Sequence, residues 1–410
     1  MKPDHIDLPL PYKVANSLGA LLVAAKLPAV RLDEEALTKT ALKRTGLADF
    51  GDPYYQQGLR QLLSSIEQDA PLHPIGRFVT HDFISNYLAQ RLWLVEKRKR
   101  SPQIFETPLT PPLLITGLAR SGTSFLHQML VDDPAHRAIP VWELMRPFPE
   151  PAENRTGRDP RVAKMEQTLR LRQPMLPGID AIHYTRPETP EECIMALGFT
   201  FHSLIFSTIL PVYGYGEWYM EQEELQQKYR EYRWLLQVYQ SRRPQQRLVL
   251  KAPAHTPYLS YLGEAIPGIM FIQTHRDPVA CVSSASSLVY TFHLAVADGI
   301  DVRRLGALTL DLYESWFRRN LAFRKAHPGL IYDVMYQDLV ANPAGVVEAI
   351  YDHFGLPRSE EQAQRILKFV RKNPKGKHGR HRYTAEDFGL TDGEIAERLG
   401  FYSDQFGLSS

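Results

Sequence analysis

Leu113-Leu114-Ile115-Thr116-Gly117-Leu118-Ala119-Arg120-Ser121-Gly122-Thr123-Ser124 joins a short apolar run to two glycines with four residues between them, and residues 125–130 continue at helical spacing. An apolar run of this length reads as a strand buried on both faces in a parallel sheet, so strand, loop and helix are expected in turn. Such a loop can aim successive backbone N–H groups at an anion, and the helix N-terminus behind it adds roughly half a positive charge. The alternative is that Gly117 and Gly122 only permit a tight turn. In a GxxxxGK[ST] loop a lysine reaches the triphosphate; here Thr123 holds that place and Arg120 brings a cation earlier, which disfavours ordinary ATP or GTP hydrolysis.

Working outward, apolar runs recur at 248–250, 269–272 and 330–334, separated by segments long enough for crossover helices. The expected fold is therefore α/β, with a central, mainly parallel sheet covered on both faces. Residues 37–99 have helical periodicity, and the turn-rich Thr107-Pro108-Leu109-Thr110-Pro111-Pro112 follows. We expect an N-terminal helical annex (1–106) packed on a catalytic domain (107–410). A helical insertion between the first two recognisable strands, with helices near 162–172, 191–209 and 220–240, is expected to shape a substrate pocket. A further helix is expected over 304–325, and residues 373–382 read as a basic, glycine-containing loop.

The chain has 410 residues, of which 44% are hydrophobic and 23% charged; 48 basic and 46 acidic residues leave a net charge of +2. Nothing in that balance calls for nucleic acid or an anionic partner, so an anion site must be local. Cys193 and Cys281 lack metal-ligand or CxxC spacing and are expected as free, buried thiols of a reducing compartment. The start shows no signal-peptide pattern and no apolar run reaches membrane-span length, so a cytoplasmic protein is expected. The nearest approach, residues 14–30, is broken by Lys26 and Pro28. It reads either as a helix packed on the body or as an interfacial anchor.

A second constellation follows the 269–272 run. In His275-Arg276-Asp277-Pro278, Asp277 suits a helix N-cap and Pro278 the first helical position. The helix would bury Val279, Val282 and Val289 and leave Ser283, Ser284, Ser286 and Ser287 on its other faces. Arg276 can hold an anion or form a salt bridge with Asp277 or Asp301. Leu250-Lys251-Ala252-Pro253-Ala254-His255 ends another strand, placing Lys251 and His255 at the carboxyl edge where open α/β sheets bind ligands. His255 leads as a general base, against the commoner role of a structural histidine. Glu191 and Glu192 rival it, with Glu143 behind them, and each also suits a helix-start acid.

Together with Trp142-Glu143-Leu144, Pro190-Glu191-Glu192-Cys193 and the 381–390 tail, these segments resemble the bacterial-type branch of the sulfotransferase family, over roughly residues 37–390. The resemblance implies a P-loop-like three-layer fold and the donor 3′-phosphoadenosine 5′-phosphosulfate, with no metal. It implies that Arg120, Ser121, Gly122, Thr123 and Ser124 hold the 5′-phosphosulfate, and that Arg276 and Ser284 grip the 3′-phosphate. Lys377, in the basic loop, would close over that phosphate. His255, Arg120, Lys251 and Glu192 would form the catalytic set. Arg120 departs from the lysine usual in cytosolic sulfotransferases, and an always-charged fork puts its role at the bridging oxygen in doubt. The expected acceptor is a small alcohol or phenol, lipid-like if the aromatic run 213–219 with Phe199, Phe201 and Phe206 lines the pocket rather than the core. A magnesium-dependent P-loop kinase and a non-catalytic nucleotide-binding module are the rival readings. Neither a nucleic-acid partner nor a transmembrane segment is expected, and a homo-oligomer is left open.

Overall fold

The computed structural model describes residues 8–25, 27–149, 159–176, 178–358, 360–372 and 383–408. Five strands, β1 (Leu113–Gly117), β2 (His136–Arg137), β3 (Arg247–Lys251), β4 (Met270–His275) and β5 (Ile331–Met335), form one all-parallel sheet in the order β2-β3-β1-β4-β5. Four of them fall on the apolar runs. The two-residue β2 carries no apolar run and exists only by pairing with β3.

Strand periodicity makes the layers. Leu113 and Ile115 join Val249, Ile272 and Val334 in one core on one face, whereas Leu114, Leu250 and Phe271 belong to a second core on the other. Helices Thr123–Val131 and Pro343–His353 cover the first face, contributing Leu126, Leu130, Val347 and Ile350. Helix Val302–Ala326 covers the second with Leu310 and Phe317. β3 and β4 flank β1 on opposite sides, so the chain leaves β1's neighbourhood in both directions and opens a crevice at the carboxyl ends.

The N-terminal helices Glu34–Thr45, Tyr54–Asp69 and Pro74–Arg100 add Leu37, Leu59, Leu62, Leu88 and Leu92 to that second core. Arg91 on the third is fully buried and forms a bidentate pair with Glu231 on helix Gln226–Ser241, with Nη2 to Oε1 at 3.0 Å. Its remaining donors go to the carbonyls of Phe50, Asp52 and Phe199, so the buried charge is matched on every side.

The insertion departs from its periodicity. The helix expected near 191–209 is broken into Ile194–Leu197, a 3-10 turn Gly198–Thr200 and Ile205–Ile209, with Phe201 in the left-handed region at φ 56°. Gly198 lies so close to the Tyr87 ring that a Cβ would fall 2.4 Å from Cζ, and the chain bends around that ring. The helix expected near 220–240 begins only at Gln226 and runs to Ser241, with a separate helix, Tyr213–Met220, before it. Helix Pro278–Leu294 begins as expected, but Ser283, Ser284, Ser286 and Ser287 are all buried because neighbours pack on its other faces too.

Candidate functional site

The loop after β1 is shaped by close packing. Gly117 has φ 113°, and a Cβ there would stand 2.2 Å from the carbonyl oxygen of Thr274 on β4; Gly122 has φ 92° and lies against Leu339. Between them Arg120 is held at φ 71°, a conformation non-glycine residues rarely adopt outside functional sites. Ser121 is fully buried, and its hydroxyl bonds Leu118 O and Thr274 Oγ1, bracing the loop from within. Helix Thr123–Val131 starts on Gly122 with no side-chain cap, whereas Asp33, Asp159, Asp301 and Thr391 cap theirs. Among the described residues no side chain caps its first turn, and amides at such a helix start suit an anion. Thr123 is buried there and Ser124 exposed.

Arg276, Ser284 and the loop meet. Arg276 Nη1 donates to Arg120 O at 2.8 Å, with its guanidinium 4.4 Å from the Tyr336 ring centroid, and Arg120 Nε donates to Ser284 Oγ at 3.1 Å. The acids once open to Arg276 serve as caps: Asp277 accepts from Val279 N at 3.0 Å and Asp301 from Arg304 N at 2.9 Å.

At the end of β3, Lys251 is buried and its Nζ donates to Glu192 Oε1 at 2.8 Å. Glu191 turns the other way, its Oε2 2.7 Å from His183 Nε2. Burial alone would raise the Glu191 carboxyl, but His183 and Lys251 outweigh it and hold its pKa down to about 2. His183, Glu191 and Glu192 line a cavity of about 230 Å³ that opens to solvent. Its walls are otherwise mainly apolar: Val79 and Phe83 from helix Pro74–Arg100, Met145, Met165, Leu169, Met175, Ile205 and Leu210 from the insertion, and Leu288 and Phe292. The last two lie on the helix that carries Ser284, one turn and two turns further on, so the Arg276–Ser284 cluster and the cavity share an element. Asn86 also lines it; Nδ2 donates to Met145 O at 3.0 Å, while the buried Oδ1 has no partner among the described residues.

The remaining expected residues lie elsewhere. His255 is wholly buried, with Nδ1 3.1 Å from Tyr229 Oη and Nε2 3.5 Å from Cys193 Sγ, and burial together with Lys228 pushes its pKa down to about 3. It borders no part of the cavity. Glu143 is buried against Arg137 and Arg242, a structural arrangement. Phe199, Phe201, Phe206 and Tyr213, Tyr215 and Tyr219 are core and do not line the cavity. Both cysteines are buried and free. Lys377 lies outside the described residues. His183 and Asn86 went unread in the sequence: one lies in a proline-bounded loop without periodicity, and the other is one polar residue on a long helix.

An uncapped helix behind a glycine loop, at the carboxyl edge of a parallel sheet with helices on both faces, defines a P-loop-like α/β protein. The profile of the Sulfotransferase family matches residues 111–361, more than half of the chain, and the chain belongs to that family. It is 25% identical over 307 residues to the omega-hydroxy-beta-dihydromenaquinone-9 sulfotransferase Stf3 of Mycobacterium bovis, covering 71% of this chain and 75% of that one. The crystal structure of sulfotransferase STF1 from Mycobacterium tuberculosis superposes with a TM-score of 0.77 at 29% identity, over 90% of this chain and 98% of that one. Sulfotransferase STF9 from Mycobacterium avium shares the fold, with a TM-score of 0.80 at 23% identity over 92% and 98%.

Proposed function

We propose that this chain transfers a sulfuryl group from 3′-phosphoadenosine 5′-phosphosulfate to a hydroxyl of a lipid-like alcohol. The observation that carries this reading is the apolar cavity with Glu192 in its wall, ion-paired to Lys251 at the end of β3. The residues present suit a donor with two separated anionic groups. The uncapped amides of Gly122, Thr123 and Ser124 face one, and Arg276 with Ser284 offers donors for the other. Arg120, bonded to Ser284 and lodged in the loop, spans the two.

In this reading Glu192 takes the proton of the acceptor hydroxyl as the acceptor oxygen bonds to sulfur. Lys251, Arg120 and the loop amides stabilise the charge left on the 5′-phosphate as its bond to sulfur breaks. The protein works by placement and by preorganised positive charge. The cavity's methionines adapt to a flexible hydrocarbon chain, and the relative named for a menaquinone derivative bearing an omega-hydroxyl fits that chemistry. Helix Pro74–Arg100 supplies part of the cavity lining, which joins residues 1–106 to the catalytic unit of residues 107–410 in function. The His183–Glu191 pair supports a second reading, in which a carboxylate orients an imidazole base; there His183→Asn, and not Glu192→Gln, abolishes transfer.

Calorimetric titration with adenosine 3′,5′-bisphosphate, ADP and ATP, with and without magnesium, tests the donor class. We expect preference for the 3′,5′-bisphosphate without magnesium, and a loss of about 10- to 100-fold on Arg276→Ala for that ligand alone, the size of a charged hydrogen bond. Magnesium-dependent preference for ATP overturns the proposal in favour of a kinase, and equal losses for all ligands remove Arg276 from the 3′-phosphate.

A further inference from the structure

Helix Leu10–Ala24 presents its apolar residues to solvent. Leu10, Leu18 and Leu21 are 73%, 60% and 68% exposed, with Val14 and Leu22 exposed between them. At ~100° per residue these side chains fall within about a third of the helix circumference. The opposite side holds the helix to the body: Asn16 Oδ1 accepts from Ile75 N at 2.9 Å, Gly19 lies against Pro74, and Tyr12 Oη donates to Leu171 O at 2.8 Å. Ile75 and Leu171 belong to the two helices that place Val79 and Leu169 in the cavity lining. The helix therefore bridges two cavity walls. Phe78 and Leu171, both exposed, extend the apolar surface along each. The helix carries Lys13 and no acid, and exposed Arg170 adjoins Leu171, with Glu166 one turn before it and Asp82, one turn after Phe78, paired to Arg44. No helix among the described residues is long and apolar enough to cross a membrane.

We propose that this face docks the protein on an anionic phospholipid bilayer, lying in the interface beside the cavity. A contiguous apolar stripe with basic neighbours binds the acyl–headgroup boundary and is attracted by anionic lipid. Delivery of the acceptor from that bilayer rests on the lipid-alcohol reading above, whereas the docking itself does not. It separates the N-terminal helix from the buried helices after it: the first is bound edge-on by few polar contacts and keeps its hydrophobic side outward.

Sedimentation of the full chain with vesicles of phosphatidylcholine alone, and of phosphatidylcholine with phosphatidylglycerol, tests this without donor or acceptor, so its outcome is independent of the reaction. We expect the protein to pellet with the anionic vesicles and to be released several-fold by high salt. Leu18→Asp/Leu21→Asp should lower the bound fraction at least tenfold while melting near wild type, and Lys13→Glu should lower it a few-fold with the apolar stripe intact. Failure of the wild-type chain to pellet, or equal pelleting of these variants, overturns the proposal. So does a dimer in ultracentrifugation that Leu18→Asp/Leu21→Asp splits in the absence of vesicle binding, because a second copy of the chain then covers the face.

Discussion

The carboxyl edge of the sheet and the helical insertion meet at the Lys251–Glu192 pair, yet they are built by different rules. At the edge, each expected feature follows from local chemistry. A buried strand ends in glycine, a helix opens without a cap, and Asp277-Pro278 starts the next helix as its residue types require. In the insertion, position is set by what other segments press against it: Gly198 bends around Tyr87, Glu191 is tied to His183 from eight residues earlier, and part of the cavity lining comes from the N-terminal helix Pro74–Arg100. The two histidines show the contrast. His183 lies in the cavity wall paired with a carboxylate, whereas His255, on the segment that runs straight from β3, is sealed among tyrosines. Sequence neighbourhood at a strand end therefore fixes where the backbone goes, and not which side chains reach substrate.

Glu192→Gln breaks or confirms that contrast most directly. It keeps the shape and removes the carboxylate, and kcat for sulfate transfer should fall about 10²- to 10⁴-fold, the range for loss of a general base. If kcat is retained while His183→Asn abolishes it, the dyad in the loop is the base. The seam between N-terminal helices and insertion is tested next by Glu231→Gln, which leaves the Arg91 charge buried and unpaired. Chemical denaturation should show a loss of about 3–5 kcal/mol, with reduced occupancy of the cavity by acceptor following from it. A loss within a few tenths of a kcal/mol would show that water or backbone carbonyls replace the pair.

His255→Asn sharpens the comparison by its pH dependence. The buried imidazole stays neutral down to about pH 3, whereas in the unfolded chain it takes up a proton below about pH 6.5. The unfolded state therefore binds more protons over that interval, and stability contributed by this residue falls as pH drops from about 6.5 to about 3, by at most about 1.4 kcal/mol per pH unit. The variant should flatten the decline of stability across that window while kcat at neutral pH changes less than about threefold. A large kcat loss with an unaltered pH–stability curve would return His255 to the reaction.

Sequence alone determined the α/β class, four of the five strands, the glycine loop and the Asp277-Pro278 helix start. These features depend on backbone conformations that a few adjacent residue types permit or forbid. Only the tertiary structure decided that β2 exists, that His255 is core, that His183, Glu191, Glu192 and Asn86 share one cavity, and that one helix leaves its apolar side uncovered. Each of these is a matter of which distant segment packs where, and long-range packing leaves no periodic mark in the residues that receive it.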